Sequence, residues 1–295
     1  MPSPPISIRG ITKRYGSLLA VNSLTLEVAE GEILGFLGLN GAGKSTTIRI
    51  LLDLLRPNSG QAALFGHDCQ SNGLEARKNI GYLPAEMGIY PDLTGREVLD
   101  LLAGLGGNNK SHRRDLQDRL EFPDRDLRRK LREYSTGMKR KLGIIQAFQS
   151  DPLLLILDEP TEGLDPLMQE SFYEILVHAK KRGRTVFMSS HVLSEVERIC
   201  DRIALLRKGE LVLLSTIEET RKLATRRVRV FFREDVPDPQ GFEAVQIAPR
   251  RWDLKVEGQL APLLAAIAVL PVQDLEVEEP KLEDVILKYY RDGSA

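Results

Sequence analysis

The stretch that decides the fold of this chain is Gly38-Leu39-Asn40-Gly41-Ala42-Gly43-Lys44-Ser45-Thr46. It fits the pattern G-x-x-x-x-G-K-[ST], whose backbone N–H groups surround the phosphates of a nucleotide. The apolar segment 32–37 before it predicts a buried strand, and the segment 47–52 after it predicts a helix with one apolar face. A chance glycine-rich turn is the alternative, but few such turns lie between a strand and a helix. The stretch therefore predicts a nucleotide-binding loop.

The residue types in this loop each have a physical role. The glycines allow the backbone to curl around an anion, and the N-terminus of the following helix adds a partial positive charge. Lys44 carries a full charge that reaches the β- and γ-phosphates, and Ser45 offers a hydroxyl to Mg²⁺. The nucleotide contacts that we expect in this loop are Asn40, Gly41, Gly43, Lys44, Ser45 and Thr46.

The composition is that of a soluble globular protein. The 295 residues are 42% hydrophobic and 28% charged, and the net charge of −1 gives no general attraction to nucleic acid or to an anionic membrane. The sequence has no run of 18 apolar residues, so we expect no membrane-spanning helix. Residues 1–5 lack the features of a signal peptide, and we expect Cys69 and Cys200 to be buried free thiols.

Strand and helix patterns alternate along most of the chain and predict an α/β fold with a parallel sheet flanked by helices. The continuous apolar runs 153–157 and 185–189 are typical of strands buried on both faces, and 168–181 between them has helical spacing. Residues 93–148 have a mainly helical pattern, and residues 203–214 predict a hairpin.

The character of the sequence changes after about residue 217. Segments 228–232, 251–256 and 275–277 alternate like strands, whereas 260–270 and 282–290 have helical patterns. We interpret this region as a small separate α+β domain without a catalytic motif. Its Trp252 is expected to be a packing residue.

Two carboxylates follow the apolar run 153–157. Asp158 is placed to hold Mg²⁺ through its water shell, and Glu159 is placed to polarise a water that attacks the γ-phosphate. Alone, the pair would only mark the end of a strand. Together with the phosphate loop, it predicts a metal-assisted hydrolysis of a nucleotide.

A third motif, Tyr134-Ser135-Thr136-Gly137-Met138-Lys139, identifies the family that the chain resembles. Residues 6–216 resemble the ATP-binding cassette (ABC) transporter ATPases, whose signature is Leu-Ser-Gly-Gly-Gln. Ser135 and Gly137 match this signature, while Tyr134, Thr136 and Met138 depart from it. The resemblance implies that the segment begins a helix and contacts the γ-phosphate held by a second subunit. A simple helix N-cap is the other role for Ser135, and the two roles are compatible.

The resemblance extends to three further positions. Tyr15 matches the aromatic residue that stacks on adenine, with a core tyrosine as the alternative. Gly163-Leu164-Asp165 matches the D-loop that links the two sites of a dimer, although Asp165 before Pro166 also suits a helix N-cap. His191 matches the switch histidine that senses the γ-phosphate, so we expect it to act in catalysis with Glu159 and Lys44.

One family position is altered. Ala85 stands where the family has a glutamine that contacts Mg²⁺ and transmits the nucleotide state to the membrane partner. Alanine cannot bind a metal. We hypothesise that the adjacent Glu86 takes over this role; water is the alternative ligand.

The resemblance implies a fold class and a domain organisation. The fold would be an α/β P-loop NTPase core of the ABC ATPase type, with a mixed sheet and a helical subdomain, plus a small C-terminal α+β domain. The nucleotide-binding domain would cover residues 1–216, with the helical subdomain at about 86–148, and the accessory domain would cover 217–295.

Four segments resemble in sequence the drug- and sodium-exporter branch of the family: 82–84, 134–139, 158–166 and 280–285. This implies an ATP-hydrolysing subunit of a membrane exporter, with ATP and Mg²⁺ bound at each site. Its partners would be a transmembrane permease, docked near residues 85–94, and a second copy or a second ATPase subunit. No nucleic acid is expected, and the location would be cytoplasmic, peripheral on the cytoplasmic face of the cell membrane.

In such a homodimer each site combines residues of both copies. Lys44, Ser45, Asp158, Glu159 and His191 of one copy would face Ser135 and Gly137 of the other. Asp158 and Ser45 would hold the metal.

Two other classes of function compete with the transporter. Soluble ABC-type clamps act on ribosomes or DNA, but they usually carry tandem cassettes or long coiled-coil inserts, and this sequence has neither. A regulator that binds ATP without hydrolysis is suggested only by Ala85. The presence of Lys44, Asp158, Glu159 and His191 argues against it.

Overall fold

A computed structural model describes residues 3–88, 90–105, 109–223, 226–238, 241–256, 259–278 and 281–291. The chain divides into two compact units, Met1–Leu214 and Ser215–Ala295. In the described ranges no helix is long and apolar enough to cross a bilayer.

Strands of the first unit run in chain order as β1 (Ile6–Tyr15), β2 (Leu18–Val28), β3 (Ile33–Leu37), β4 (Ser59–Leu64), β5 (His67–Asp68), β6 (Ile80–Leu83), β7 (Leu154–Asp158), β8 (Thr185–Ser190), β9 (Arg202–Arg207) and β10 (Glu210–Thr216). Its helices are α1 (Lys44–Leu51), α2 (Gly73–Arg77), α3 (Gly95–Leu105), α4 (Arg113–Arg119), α5 (Asp124–Leu127), α6 (Thr136–Phe148), α7 (Pro166–Lys181) and α8 (Leu193–Ile199). A 3₁₀ turn, Leu131–Glu133, precedes α6.

Two sheets form the frame of this unit. One is antiparallel, in the order β2-β1-β4-β5, and the other has the order β10-β9-β3-β8-β7-β6. In the second sheet β9, β3, β8, β7 and β6 run parallel. The predicted α/β class with a mixed set of strands is thereby confirmed. All residues of β3, β7 and β8 are buried, as parallel strands covered on both faces require.

The core of the first unit lies around β3 and α1. Ile48 and Leu51 of α1 are buried in it, and the rings of Phe36 and Phe187 lie 5.0 Å apart across neighbouring strands. Cys69 is a buried free thiol, as predicted, and burial raises its pKa to about 12. Cys200 is likewise free and buried, and burial raises its pKa. Neither thiol is therefore a ready nucleophile.

The second unit contains α9 (Ile217–Lys222), β11 (Arg226–Phe232), β12 (Glu243–Ala248), β13 (Arg251–Val256), α10 (Ala261–Ile267), β14 (Val272–Val277) and α11 (Leu282–Arg291). Its antiparallel sheet has the order β12-β13-β11-β14. Trp252 packs in the core of this unit with Val230 and Leu263, in agreement with the packing role expected from the sequence. Part of the exporter-like terminal segment, Pro280, lies outside the described residues.

Candidate nucleotide-binding site

The loop between β3 and α1 adopts a conformation that only glycine accepts easily. Gly41 and Gly43 have φ angles of 80° and 108°, in the left-handed region. A Cβ on Gly43 would lie 2.4 Å from the carbonyl oxygen of Ala20, so the loop also needs the missing side chain for space. Helix α1 begins directly afterwards at Lys44. The sequence thus folds here into a curled backbone that leads into a helix N-terminus, an arrangement suited to anions.

An open pocket of about 390 Å³ lies over this loop. Residues that line it include every predicted loop contact together with Tyr15 and Glu159, namely Tyr15, Asn40, Gly41, Gly43, Lys44, Ser45, Thr46 and Glu159. The Tyr15 side chain is 45% exposed, so the alternative of a core tyrosine is wrong. Its ring is available for stacking at the rim of the pocket, with the Lys13 ammonium 5.5 Å from the ring centroid.

Lys44 is buried at the base of the pocket. Its Nζ donates to the carbonyl oxygen of Gly38 and lies 3.2 Å from Oε1 of Glu159. Glu159 in turn places Oε2 2.8 Å from Nδ1 of His191, which is half-exposed. The three residues predicted to act in catalysis therefore form one continuous chain of contacts.

Asp158, the last residue of β7, lies beside Ser45. The Ser45 hydroxyl donates to Oδ1 of Asp158 at 3.4 Å, and the Ser189 hydroxyl donates to the same oxygen at 2.6 Å. Hydroxyl and carboxylate oxygens are the donors that Mg²⁺ prefers, so the residues present fit this ion. Sequence reasoning missed Ser189. The signal was its place at the end of β8, where the parallel register pairs it with Asp158.

A family model described as ABC transporter matches residues 21–162. The bacitracin transport ATP-binding protein BcrA of Bacillus licheniformis is 35% identical over 302 residues, which cover 98% of each chain. The chain belongs to the ATP-binding proteins of ABC transporters. The family predicted from the sequence is thereby confirmed, and with it ATP binding and ATP hydrolysis as the activity.

Other known proteins agree with this membership of the ABC ATPases. BcrA of Enterococcus faecalis is 41% identical over 239 residues, covering 79% of this chain and 75% of the relative. The Nod factor export ATP-binding protein I of Burkholderia orbicola is 39% identical over 215 residues, covering 72% and 71%. A solved ATP binding subunit of an ABC transporter superimposes with a TM-score of 0.69 at 30% identity, covering 74% and 92%.

Five predicted site residues of this ABC ATPase do not line the pocket. Asp158 and His191 contact residues that line it, whereas Ser135, Gly137 and Asp165 lie in the helix-start regions described next. Ser135 caps α6 by accepting from the Met138 N–H at 3.2 Å, and Asp165 caps α7 by accepting from the Met168 N–H at 3.0 Å. Gly137 lies near the loop before α7, because a Cβ on it would be 3.4 Å from the Gly163 carbonyl oxygen. The N-cap roles considered for Ser135 and Asp165 are therefore present.

The altered position Ala85 opens onto a second cleft. This cleft, of about 390 Å³, is lined by Ala85, Glu86, Met87, Thr136, Lys139, Arg140 and Glu162. Glu86 is exposed there and is not among the residues that line the phosphate pocket. In this conformation Glu86 does not line the pocket that Ser45 lines, so the role hypothesised for it in metal sensing requires a shift of the loop.

Proposed function

We propose that the chain is the ATPase subunit of a membrane exporter and that it works as a dimer on a separate permease. The observation that carries the catalytic part is the contact of one carboxylate, Glu159, with both Lys44 and His191 at the phosphate loop. The exporter part is supported by relatives that are named for bacitracin transport and Nod factor export. One of these relatives matches 98% of the chain, so the likeness includes the second unit.

In this proposal the pocket residues divide the work of hydrolysis. Lys44 and the loop N–H groups bind the phosphates, and Tyr15 stacks on the adenine. Ser45 and Asp158 would hold Mg²⁺, which when bound neutralises charge on the phosphates. Glu159 orients the attacking water and accepts its proton as the bond to ADP breaks.

His191 has a separate task in the same proposal. Its Nδ1 lies 2.8 Å from Oε2 of Glu159, close enough to hold that carboxylate toward the γ-phosphate. Because its side chain is half-exposed, His191 is also able to sense when the γ-phosphate leaves the site.

The second copy would complete each site. Ser135 is exposed at the start of α6, where the free N–H groups of the first turn favour an anion. Ser135 and Gly137 of one copy would therefore close over the ATP held by the other, with Asp165 nearby at the dimer contact. In this arrangement residues 1–216 are the nucleotide-binding domain, with its helical part at 86–148, and 217–295 are an accessory domain.

An apolar groove is the proposed contact with the permease. The groove measures about 240 Å³ and its lining residues include Tyr82, Pro84, Met87, Tyr90, Val98, Leu101 and Leu102. Tyr90 and Leu101 are exposed, which is costly without a partner surface. An apolar helix end of a membrane protein fits a groove of this kind, and such docking would place the chain on the cytoplasmic face of the membrane.

A capture experiment tests this proposal. Tagged Glu159→Gln protein, which is expected to hold ATP, is incubated with detergent-solubilised membranes, and co-purifying chains are identified by mass spectrometry. We expect a stoichiometric multispanning membrane protein. Leu101→Glu in the groove should abolish its capture, whereas Leu74→Glu at another exposed leucine should not. If the chain is recovered only with ribosomes or nucleic acid, the exporter proposal is wrong and the soluble-clamp function takes its place.

A further inference from the structure

A buried arginine that the sequence motifs did not single out connects two loops beside the catalytic carboxylates. Arg140 lies in α6, and it is 5% exposed. Its guanidinium donates to four main-chain carbonyl oxygens: Nη1 to Pro84 at 2.9 Å, Nη2 to Ala85 at 3.1 Å, Nη2 to Glu159 at 2.8 Å and Nε to Glu162 at 3.0 Å.

These four bonds are unusual for a buried arginine, which more often pairs directly with a carboxylate. Here the hydrogen-bond partners of Arg140 are neutral carbonyl groups from two segments, the loop after β6 and the loop after β7. Burial lowers the pKa of the Arg140 guanidinium, while the charges of Glu162, Asp158 and Glu159 oppose that shift. Because an arginine side chain stays protonated in proteins, this positive charge lies near the catalytic carboxylates.

The backbone of Glu159 shows what this arrangement does. Its φ of 48° is in the left-handed region, a strained conformation for a residue that has a side chain. The residue is held from both sides, because its N–H donates to the Ser189 hydroxyl at 3.1 Å and its carbonyl accepts from Arg140. In this conformation the side chain lies between Lys44 and His191.

We propose that Arg140 is a positioning residue for ATP hydrolysis, which holds the Glu159 peptide in its strained conformation and ties it to the 84–85 loop. This inference rests on the proposed catalytic role of Glu159. Arg140 does not line the phosphate pocket, so it acts through Glu159 and not on the nucleotide. Arg140 also links the 84–85 loop beside the apolar groove to the catalytic carboxylate. In this loop Ala85 stands where the family has a glutamine.

Two substitutions separate positioning from simple structural support. Arg140→Lys keeps the charge but cannot reach four carbonyls, and Arg140→Gln removes the charge. The matched control is Arg113→Lys, since Arg113 is also a buried arginine but donates to Gln149 and Asp100, away from the site. For each full-length variant, kcat, the Kd for ATP and the melting temperature are measured.

We expect both Arg140 variants to lower kcat by about 10-fold to 100-fold, because a misplaced catalytic group costs rates of that order. The Kd for ATP should stay within about twofold, since phosphate contacts are untouched. Arg113→Lys should leave kcat unchanged even if its melting temperature falls as far as those of the Arg140 variants. Equal losses of kcat in Arg113→Lys and Arg140→Lys would reduce Arg140 to a structural residue and overturn the inference.

A double-variant cycle gives the decisive comparison. In a Glu159→Gln background, Arg140→Lys should change the residual turnover by less than about twofold, because the group that Arg140 positions has been removed. A further loss as large as in the wild-type background would show that Arg140 acts elsewhere and would overturn the inference alone. Wild-type turnover in Glu159→Gln itself would overturn the proposed mechanism and this inference together.

Discussion

The Lys44 ammonium lies 3.2 Å from Oε1 of Glu159, and the exposed fractions of the two side chains are only 6% and 14%. The cation expected to bind the γ-phosphate therefore holds the carboxylate expected to activate water. Since buried charges are most stable when paired, we expect phosphates that enter the loop to replace Glu159 as the partner of Lys44. Nucleotide binding would thus release the catalytic carboxylate at the moment when it is needed.

The first prediction concerns this carboxylate. Glu159→Gln should retain ATP binding and lose turnover by about 10²-fold or more, the lower end for loss of a general base. Its Kd for ATP should be equal to or lower than that of the wild type, because Lys44 no longer has to leave a charged partner. Isothermal titration gives the Kd, and a phosphate-release assay gives the turnover.

The control for this prediction is Glu174→Gln, the same substitution at an exposed position of α7. It should leave both quantities unchanged. Turnover near the wild-type value in Glu159→Gln would remove this residue from the mechanism.

The second prediction concerns the rim of the pocket. Tyr15→Ala should raise the Kd for ATP by about 5-fold to 150-fold, because base–aromatic stacking contributes roughly 1–3 kcal/mol. Tyr15→Phe keeps the ring and should bind ATP like the wild type. Fluorescent ATP analogues titrated against both variants provide the measurement. An equal loss in Tyr15→Phe would mean that the hydroxyl, and not the ring face, makes the contact.

The sequence revealed the parts of the site whose chemistry is local. The glycine pattern gave the phosphate loop, and the apolar run before Asp158 gave the strand that ends beside Ser45. Ser189 and Arg140 could not be found in this way. The Asp158 partner of Ser189 lies 31 positions away in the chain, and the partners of Arg140 lie 19 to 56 positions away. Only the order of the strands and the packing of α6 bring them to the site.

In the second unit, too, some elements were predicted from the sequence and others were not. Strands β11 and β13 were predicted because their buried residues alternate with more exposed ones. Strand β12 was missed; it is largely exposed, and its apolar residues Val245 and Ile247 lie on the surface. Its place in the sheet is set by pairing with β13, which no local pattern encodes. The predicted helix 260–270 is shorter than expected and ends at Ile267, and β14 begins at Val272, earlier than the predicted 275.

The third prediction concerns the residue that replaces leucine in the family signature. The Tyr134 hydroxyl donates to the Asp126 carbonyl at 2.7 Å, and a Cβ on Gly95 would lie 2.2 Å from that hydroxyl oxygen. Gly95→Ala should therefore lower the free energy of unfolding by about 1–3 kcal/mol through overpacking. Adding Tyr134→Phe removes the obstructing oxygen, so the double variant should be more stable than the sum of the single effects.

The matched control lies in the same helix. Gly104 of α3 has open space around its missing Cβ, so Gly104→Ala should be neutral or stabilising by up to about 1 kcal/mol. Urea unfolding of the four variants gives the comparison. Strict additivity of Gly95→Ala and Tyr134→Phe would contradict a direct clash between these two positions.

The last prediction tests whether each site is shared between two copies. Ser135→Asp keeps a good N-cap for α6 but places a negative charge where the γ-phosphate of the other copy is proposed to lie. The variant should keep its melting temperature and its Kd for ATP as an isolated copy, and lose turnover. Ser135→Asn, a neutral cap of the same size, is the control and should retain most of the activity.

Mixing then separates a shared site from a site within one copy. Lys44→Ala should be inactive because it lacks the ammonium group that binds the phosphates. A mixed dimer of Lys44→Ala and Ser135→Asp nevertheless contains one site that is built only from unchanged residues. After mixing with ATP, turnover should rise well above the sum of the two separate preparations. If both variants stay inactive when mixed, although crosslinking shows mixed dimers, then Ser135 does not serve the nucleotide bound by the opposite copy.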